Sequence, residues 1–235
     1  MIEFPLRLKK RCCDYKNNKF ETVIATGRSY SFIKDLAARL KIGSVIASNG
    51  AQVTHHGRTI QQHALAPQLA QQVIKELEKR QIDYLIETTE AIFYPPGADF
   101  RGDSQLNPQP LTSKDQLPPN ILQFICQQTD NQPLSLTNPA VIGEKVAPTI
   151  ANIHAENVSK ASGISALLHQ LKLTPDEAIA FGDEENDLKM FEAVGLPIAM
   201  GNATAQLKER ARLVTADVGD DGIWKAYLQL GLIQD

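Results

Sequence analysis

Nowhere in the 235 residues do 18 apolar side chains run together, so the sequence itself offers no membrane-spanning helix. The basic start, with Arg7, Lys9, Lys10 and Arg11, is not followed by the apolar stretch that a secretory signal needs. Cysteine is scarce: Cys12, Cys13 and Cys126 are an odd number without framework spacing, which excludes a disulfide-stapled secreted domain and makes a cytoplasmic chain the expectation. Charge of one sign is also missing. With 24 basic against 27 acidic residues the formal charge is −3, which gives no global attraction for nucleic acid or membrane surfaces. Any anionic ligand has to be held locally. Phosphate-binding P-loop, G-x-G-x-x-G and G-x-S-x-G strings are absent as well.

What is present is a 43% apolar chain long enough for one large domain or a domain with an inserted lobe. "ETVIAT" reads as a strand and "SYSFIKDLAARL" as a helix, because Phe32, Ile33, Leu36 and Leu40 recur at helical spacing. "GSVIASNGAQV" reads as a second buried strand, and "VTHHGRTIQQHAL" as a hairpin turning at His56-Gly57. Strand alternation would send His55 and His56 to opposite faces, so a polar turn is expected there and not a shared metal. "PQLAQQVIKELEKRQI" is an amphipathic helix; "DYLIET", "AIFYPP" and "ILQFICQQ" read as strands around a proline-rich irregular excursion over 95–120. From Val158 onward strands and helices alternate, the pattern of a parallel sheet covered on both faces. The expected organisation is therefore an α/β core over 1–53 and 151–235, with an α+β lobe over 54–150 inserted into it.

The chemistry concentrates in "FGDEENDLKMF", where Asp183, Glu184, Glu185 and Asp187 place four carboxylates in five positions. At about 6 Å and an effective dielectric near 20, each like-charged pair costs about 3 kcal/mol. A helix N-terminus offsets one or two such charges by about 0.3–1 kcal/mol each, and a bound divalent cation offsets more. The EF-hand pattern does not fit, since the sixth position from Asp183 is Leu188 and the twelfth is Val194. In open parallel sheets ligands sit at the carboxyl ends of strands. Thr26 ends one strand, Asp183 and Asp187 follow another, and Lys160 starts a helix. A hydroxyl, an ammonium and an acidic loop together describe a phosphate with a hard metal ion, although a Thr before Gly is also ordinary turn chemistry and a lysine starting a helix is commonly just solvated.

In succession, "VIATGRSY", "ASNGAQV", "NVSKASG", "AFGDEENDLKMFEAVGLPIAMGNA" and "VTADVGDDGI" resemble the haloacid dehalogenase-like (HAD) superfamily of phosphatases, most closely its Cof-type subfamily. The resemblance covers about residues 20–53 and 154–235. It implies a Rossmann-like core with an inserted α/β cap and Mg²⁺-dependent hydrolysis of small phosphorylated metabolites such as sugar phosphates. By motif match Thr26, Gly27 and Arg28 would bind the phosphate, with Asn49 lining the site and Asn186 positioning phosphate or metal-bound water. Lys160 would neutralise phosphate and nucleophile, and Asp183 and Asp187 would hold Mg²⁺.

One motif of that family has no match. Its nucleophile lies in a D-x-D-G-T string at the end of the first core strand, whereas the only aspartate before Thr26 is Asp14, in "CCDYKNN". Six residues separate Asp14 from "ETVIAT", too few for the crossover that joins parallel strands, and "RLKKRCC" is too basic for a strand buried on both faces. The first strand is therefore expected to be absent or replaced, as by truncation or a frame shift, and turnover to be impaired. A non-catalytic homologue that binds phosphorylated ligands is the alternative, and an interaction protein with exposed sheet edges a third reading. Substrate identity and oligomeric state are not legible.

Overall fold

The computed structural model describes residues 20–99, 106–113, 116–127, 134–147 and 149–233. The expected replacement of the first strand, Asp14 included, lies outside them. Among the described residues three sheets carry the fold. In the first, β1 (Val23–Ala25) pairs in parallel with β2 (Ser44–Ala47), and α1 (Tyr30–Arg39) connects them. Ser29 caps this helix by accepting from the Phe32 N–H, and Ile33 and Ala37 pack its inner face on Val45 and Ala47. After a tight turn over Ser48–Gly50, β3 (Gln52–His55) and β4 (Arg58–Gln62) extend the sheet antiparallel. Their hairpin turns at His56 and Gly57, both at positive φ, as the two-residue turn requires.

The chain then leaves this sheet through α2 (Pro67–Lys79) and builds a six-stranded sheet from β5 (Tyr84–Thr88), β6 (Ile92–Tyr94), β7 (Gln109–Pro110), β8 (Ile121–Gln127), β9 (Val141–Ala147) and β10 (Ile150–Ala155), in the order β7-β6-β5-β8-β10-β9. The stretch preceding Val158, weakly patterned in sequence, supplies the antiparallel pair β9 and β10. Of the expected limits of the lobe, residue 54 lies in β3 and residue 150 opens β10. The core of the lobe is the apolar stripe of α2 (Ala70, Val73, Ile74, Leu77) on Tyr84, Ile86, Phe124, Cys126, Ala151 and Ile153. At about 1.5–3 kcal/mol per buried large side chain, this face alone is enough to hold the helix on the sheet.

Returning, the chain forms α3 (Lys160–Leu171), then the parallel sheet β11 (Ile179–Gly182), β12 (Leu196–Ala199) and β13 (Leu213–Val214), with α4 (Leu188–Glu192), α5 (Ala205–Arg210) and α6 (Gly222–Gln229) as its helices. Among the described residues the parallel strands thus form two sheets and not one continuous sheet. Both feed one apolar core: Val23 and Ala25 of β1, Ile46, Val53 and Ala180 pack with Ile164, Leu167 and Leu168 of α3 and with Met190 and Phe191 of α4. That shared core brings the carboxyl ends of β1 and β11 close together. No helix among the described residues is long and apolar enough to cross a membrane.

Candidate functional site

The turn after β2 starts the site. Ser48 and Asn49 both adopt positive φ, and Gly50 lies at φ 100°. The Asn49 N–H donates to the Thr26 carbonyl at 3.1 Å, and the Ser48 N–H to the Arg28 carbonyl at 2.9 Å, so the turn clasps the loop that follows β1. Within that loop the Arg28 N–H donates to Thr26 Oγ1 at 3.2 Å. The Arg28 guanidinium lies over the Phe32 ring, 4.7 Å from its centroid, so its recorded bonds to the loop are through the backbone. The ring of α1 four residues later offers the cation a face.

The acidic loop folds around Asp187. Its Oδ2 accepts from the Asp183 N–H at 2.9 Å and the Glu184 N–H at 3.2 Å, while Oδ1 accepts from Lys160 Nζ at 2.6 Å. Both partners of this ion pair are buried. Lys160 also donates to Asn186 Oδ1 at 3.2 Å, and Asn186 Nδ2 donates to Asn49 Oδ1 at 3.3 Å. Thr26, Gly27, Asn49, Asn186, Lys160, Asp187 and Asp183 are therefore brought together at the ends of β1, β2 and β11 and the start of α3. Asp183 accepts from Asn202 Nδ2 at 3.1 Å through Oδ2, and no bond is recorded to its Oδ1 among the described residues. Glu184 is held above the usual carboxylate range, first by partial desolvation and then by Asp183, Asp187 and Glu185.

These donors fit a hard divalent cation. Asp183 has a carboxylate oxygen to give, and Mg²⁺ commonly takes one or two carboxylates and keeps water for the rest. Asp187 accepts from two loop amides and from Lys160, three of the about four bonds a carboxylate can take, so it holds the loop that presents Asp183 and keeps one acceptor site.

The lobe supplies residues the sequence reading missed. Glu87 of β5 and His154 of β10 are both register partners of Gln123 on β8, a polar row across the sheet face opposite α2. Gln123 Nε2 donates to the Gly27 carbonyl at 2.8 Å and to Glu87 Oε2 at 3.1 Å, while its Oε1 accepts from Asn49 Nδ2 at 3.1 Å. Ser48 Oγ donates to Glu87 Oε1 at 2.5 Å. Burial pushes the Glu87 carboxyl up to about 7, against the lowering effect of these two donors. A lone polar residue inside "YLIET" and "ILQFIC" was the available signal. Likewise Asn202 lies in "AMGNA", where its amide ties Asp183 to the Val218 N–H.

With this geometry in hand, likeness to known proteins is informative. Residues 5–227 match the family model of the haloacid dehalogenase-like hydrolases. The putative phosphatase YkrA of Bacillus subtilis is 28% identical across 98% of this chain and 92% of its own length. The 5-amino-6-(5-phospho-D-ribitylamino)uracil phosphatase YcsE of the same organism is 26% identical across 87% of this chain and 79% of its own. In structure, the chain superposes on the HAD subclass IIB sugar phosphatase BT4131 with a TM-score of 0.85, covering 98% of this chain and 93% of that one at 22% identity, a likeness of fold. The matched span takes in the sheets carrying the parallel strands, the lobe between them and the acidic loop, and the chain belongs to the haloacid dehalogenase-like hydrolase family.

Proposed function

We propose that the cleft binds small phosphorylated metabolites, sugar phosphates among them, and carries out Mg²⁺-dependent hydrolysis of their phosphate monoesters at a much reduced rate. The observation that carries this reading is the unbroken hydrogen-bonded run from Thr26 through Asn49, Asn186 and Lys160 to Asp187. Thr26 Oγ1 accepts from the loop amide, which leaves its proton for a phosphate oxygen. Lys160 spends two donors on Asp187 and Asn186 and keeps a third for the same group. Asn49 and Asn186 fix the orientation between them. Asp183 and Asp187 would hold Mg²⁺, Asp187 also fixing the loop through its bonds to the Asp183 and Glu184 amides. When bound, the ion supplies positive charge that offsets charge on the phosphoryl oxygens. The lobe acts as a cap, with Gln123 and Glu87 closing over Gly27 and Ser48, and shapes substrate choice.

The reduced rate rests on the sequence, which contains no D-x-D-G-T string. Loss of the nucleophile from a well-characterised hydrolase costs on the order of 10⁶ in turnover. The same observation favours a second reading, phosphate-ligand binding without turnover. Phosphate release from a panel of sugar phosphates with Mg²⁺, compared between the native chain and Asp183→Asn, separates the two. Slow release abolished by the substitution supports hydrolysis, and ligand-induced thermal stabilisation without release supports binding. Neither effect with any sugar phosphate would overturn both.

A further inference from the structure

The other end of the first sheet carries a second cluster. Glu21 leads into β1, Ser44 opens β2 and His55 ends β3, so all three lie at the end of the sheet remote from Thr26 and Asn49. The alternation that was expected to separate His55 from His56 stops one residue early: β3 ends at His55, and His56 turns into the left-handed region at φ 46°. The two rings meet edge to face with centroids 4.3 Å apart. Gly43 makes this possible. Its carbonyl accepts from the His56 N–H at 2.8 Å, and a Cβ there would come within 2.5 Å of the His56 ring.

Glu21 completes the cluster. One ligand atom from each of Glu21, His55 and His56 lies within 4.8 Å of the others. Ser44 Oγ, fully buried, donates to Glu21 Oε1 at 2.5 Å and, with its one proton spent there, accepts from His55 Nδ1–H at 2.8 Å, so a single hydroxyl holds both side chains and leaves Nε2 as the metal-binding nitrogen of His55. Ligands at about 2.1 Å on a tetrahedral zinc ion sit about 3.4 Å from one another, so binding would draw the three side chains together. Two imidazoles and one carboxylate are a donor set for a borderline-soft first-row ion, whereas Mg²⁺ prefers oxygen donors throughout.

We propose that Glu21, His55 and His56 form a binding site for a transition-metal ion of the zinc class, separate from the phosphate cleft, that ties the β3–β4 hairpin to the segment leading into β1. The site needs no part of the functional reading given above, and its test is independent of turnover.

The test is titration of the full chain with Zn²⁺ in saturating Mg²⁺, followed by calorimetry and by the melting temperature. His56→Asn keeps a residue that accepts positive φ, and Glu21→Gln keeps shape while removing charge. The native chain is expected to bind one Zn²⁺ that each substitution weakens by about ten-fold or more, with Ser44→Ala, which removes the hydroxyl behind two ligands, weakening it by about ten-fold. Zinc should raise the melting temperature of the native chain and not of His56→Asn, while the two proteins melt alike without zinc. Replacing Zn²⁺ by Co²⁺ should give visible absorption bands of a tetrahedral site in the native chain that are absent from His56→Asn. Equal zinc affinity in native and substituted chains, or no zinc binding by the native chain, would overturn the proposal.

Discussion

Lys160 Nζ lies 2.6 Å from Asp187 Oδ1, and both side chains are almost wholly buried. Lys160 is the first residue of α3, while Asp187 closes the acidic loop after β11, so one ion pair joins two elements that the sequence separates by 27 positions. A buried pair adds little net stability, but removal of one partner leaves the other charge without compensation. Lys160→Met should therefore lower stability by about 3–5 kcal/mol, measured by denaturant unfolding. Lys160→Met with Asp187→Asn should recover part of that loss, since no uncompensated charge remains.

Asp183 stands in contrast, half-buried and tied to Asn202 through one oxygen. Asp183→Asn keeps the shape and the loop geometry, which Asp187 holds. Its stability without metal should stay within about 0.5 kcal/mol of the native chain. The thermal stabilisation given by Mg²⁺ should disappear. An Asp183→Asn protein that Mg²⁺ still stabilises as before would place the ion elsewhere.

The split between what the sequence showed and what it hid follows from the range of the interactions. α1, α2 and α3 were legible because their apolar spacing and caps are local, as Ser29 and the Ser159–Ser162 capping box show. Thr26 and Asp183 stood out by type and position at strand ends and Lys160 at a helix start, whereas Asn49 was singled out by the motif resemblance alone. Gln123 and Glu87 were not, because strand periodicity does not tell which face of a sheet docks on another lobe. The meeting of the His55 and His56 rings was hidden for a related reason: alternation describes a strand only while the strand lasts, and the left-handed residue at His56 brings the two rings together. The partners of Arg28 and Asp187, the Phe32 ring for one and Lys160 with two loop amides for the other, were not legible, because both contacts depend on how the chain folds back on itself.

Gly50 offers a test of how the turn after β2 is fixed. Its φ of 100° disfavours any side chain, and a Cβ would stand 2.0 Å from the Ser159 carbonyl oxygen at the start of α3. Neither the backbone of Ser159 nor the turn can yield without moving Asn49. Gly50→Ala should cost more than about 1 kcal/mol and weaken binding of a sugar phosphate in parallel, read by thermal unfolding and by ligand titration. Gly57→Ala, also at positive φ but with open space around it, should cost stability without touching ligand binding.

Glu87 gives the contact between lobe and core a pH dependence whose direction follows from its surroundings. Burial raises its pKa from 4.5 to about 7 in the folded chain. Below pH 4.5 the group is protonated folded or unfolded and contributes no penalty. Between pH 4.5 and about 7 the unfolded chain releases the proton first, so stability falls as pH rises, and above about 7 the full cost, on the order of 3 kcal/mol, is in place. Ser48 and Gln123 both donate to the carboxylate, and their effect is already included in the raised value. Glu87→Gln removes the titration while keeping the shape, its amide oxygen facing Gln123 and its NH₂ facing the Ser48 hydroxyl. The variant should gain on the native chain steadily between pH 4.5 and 7, and above pH 7 it should be the more stable of the two. Denaturant unfolding of both proteins at a series of pH values measures this, and two curves that stay parallel from pH 4 to 8 would show that Glu87 does not titrate across that window.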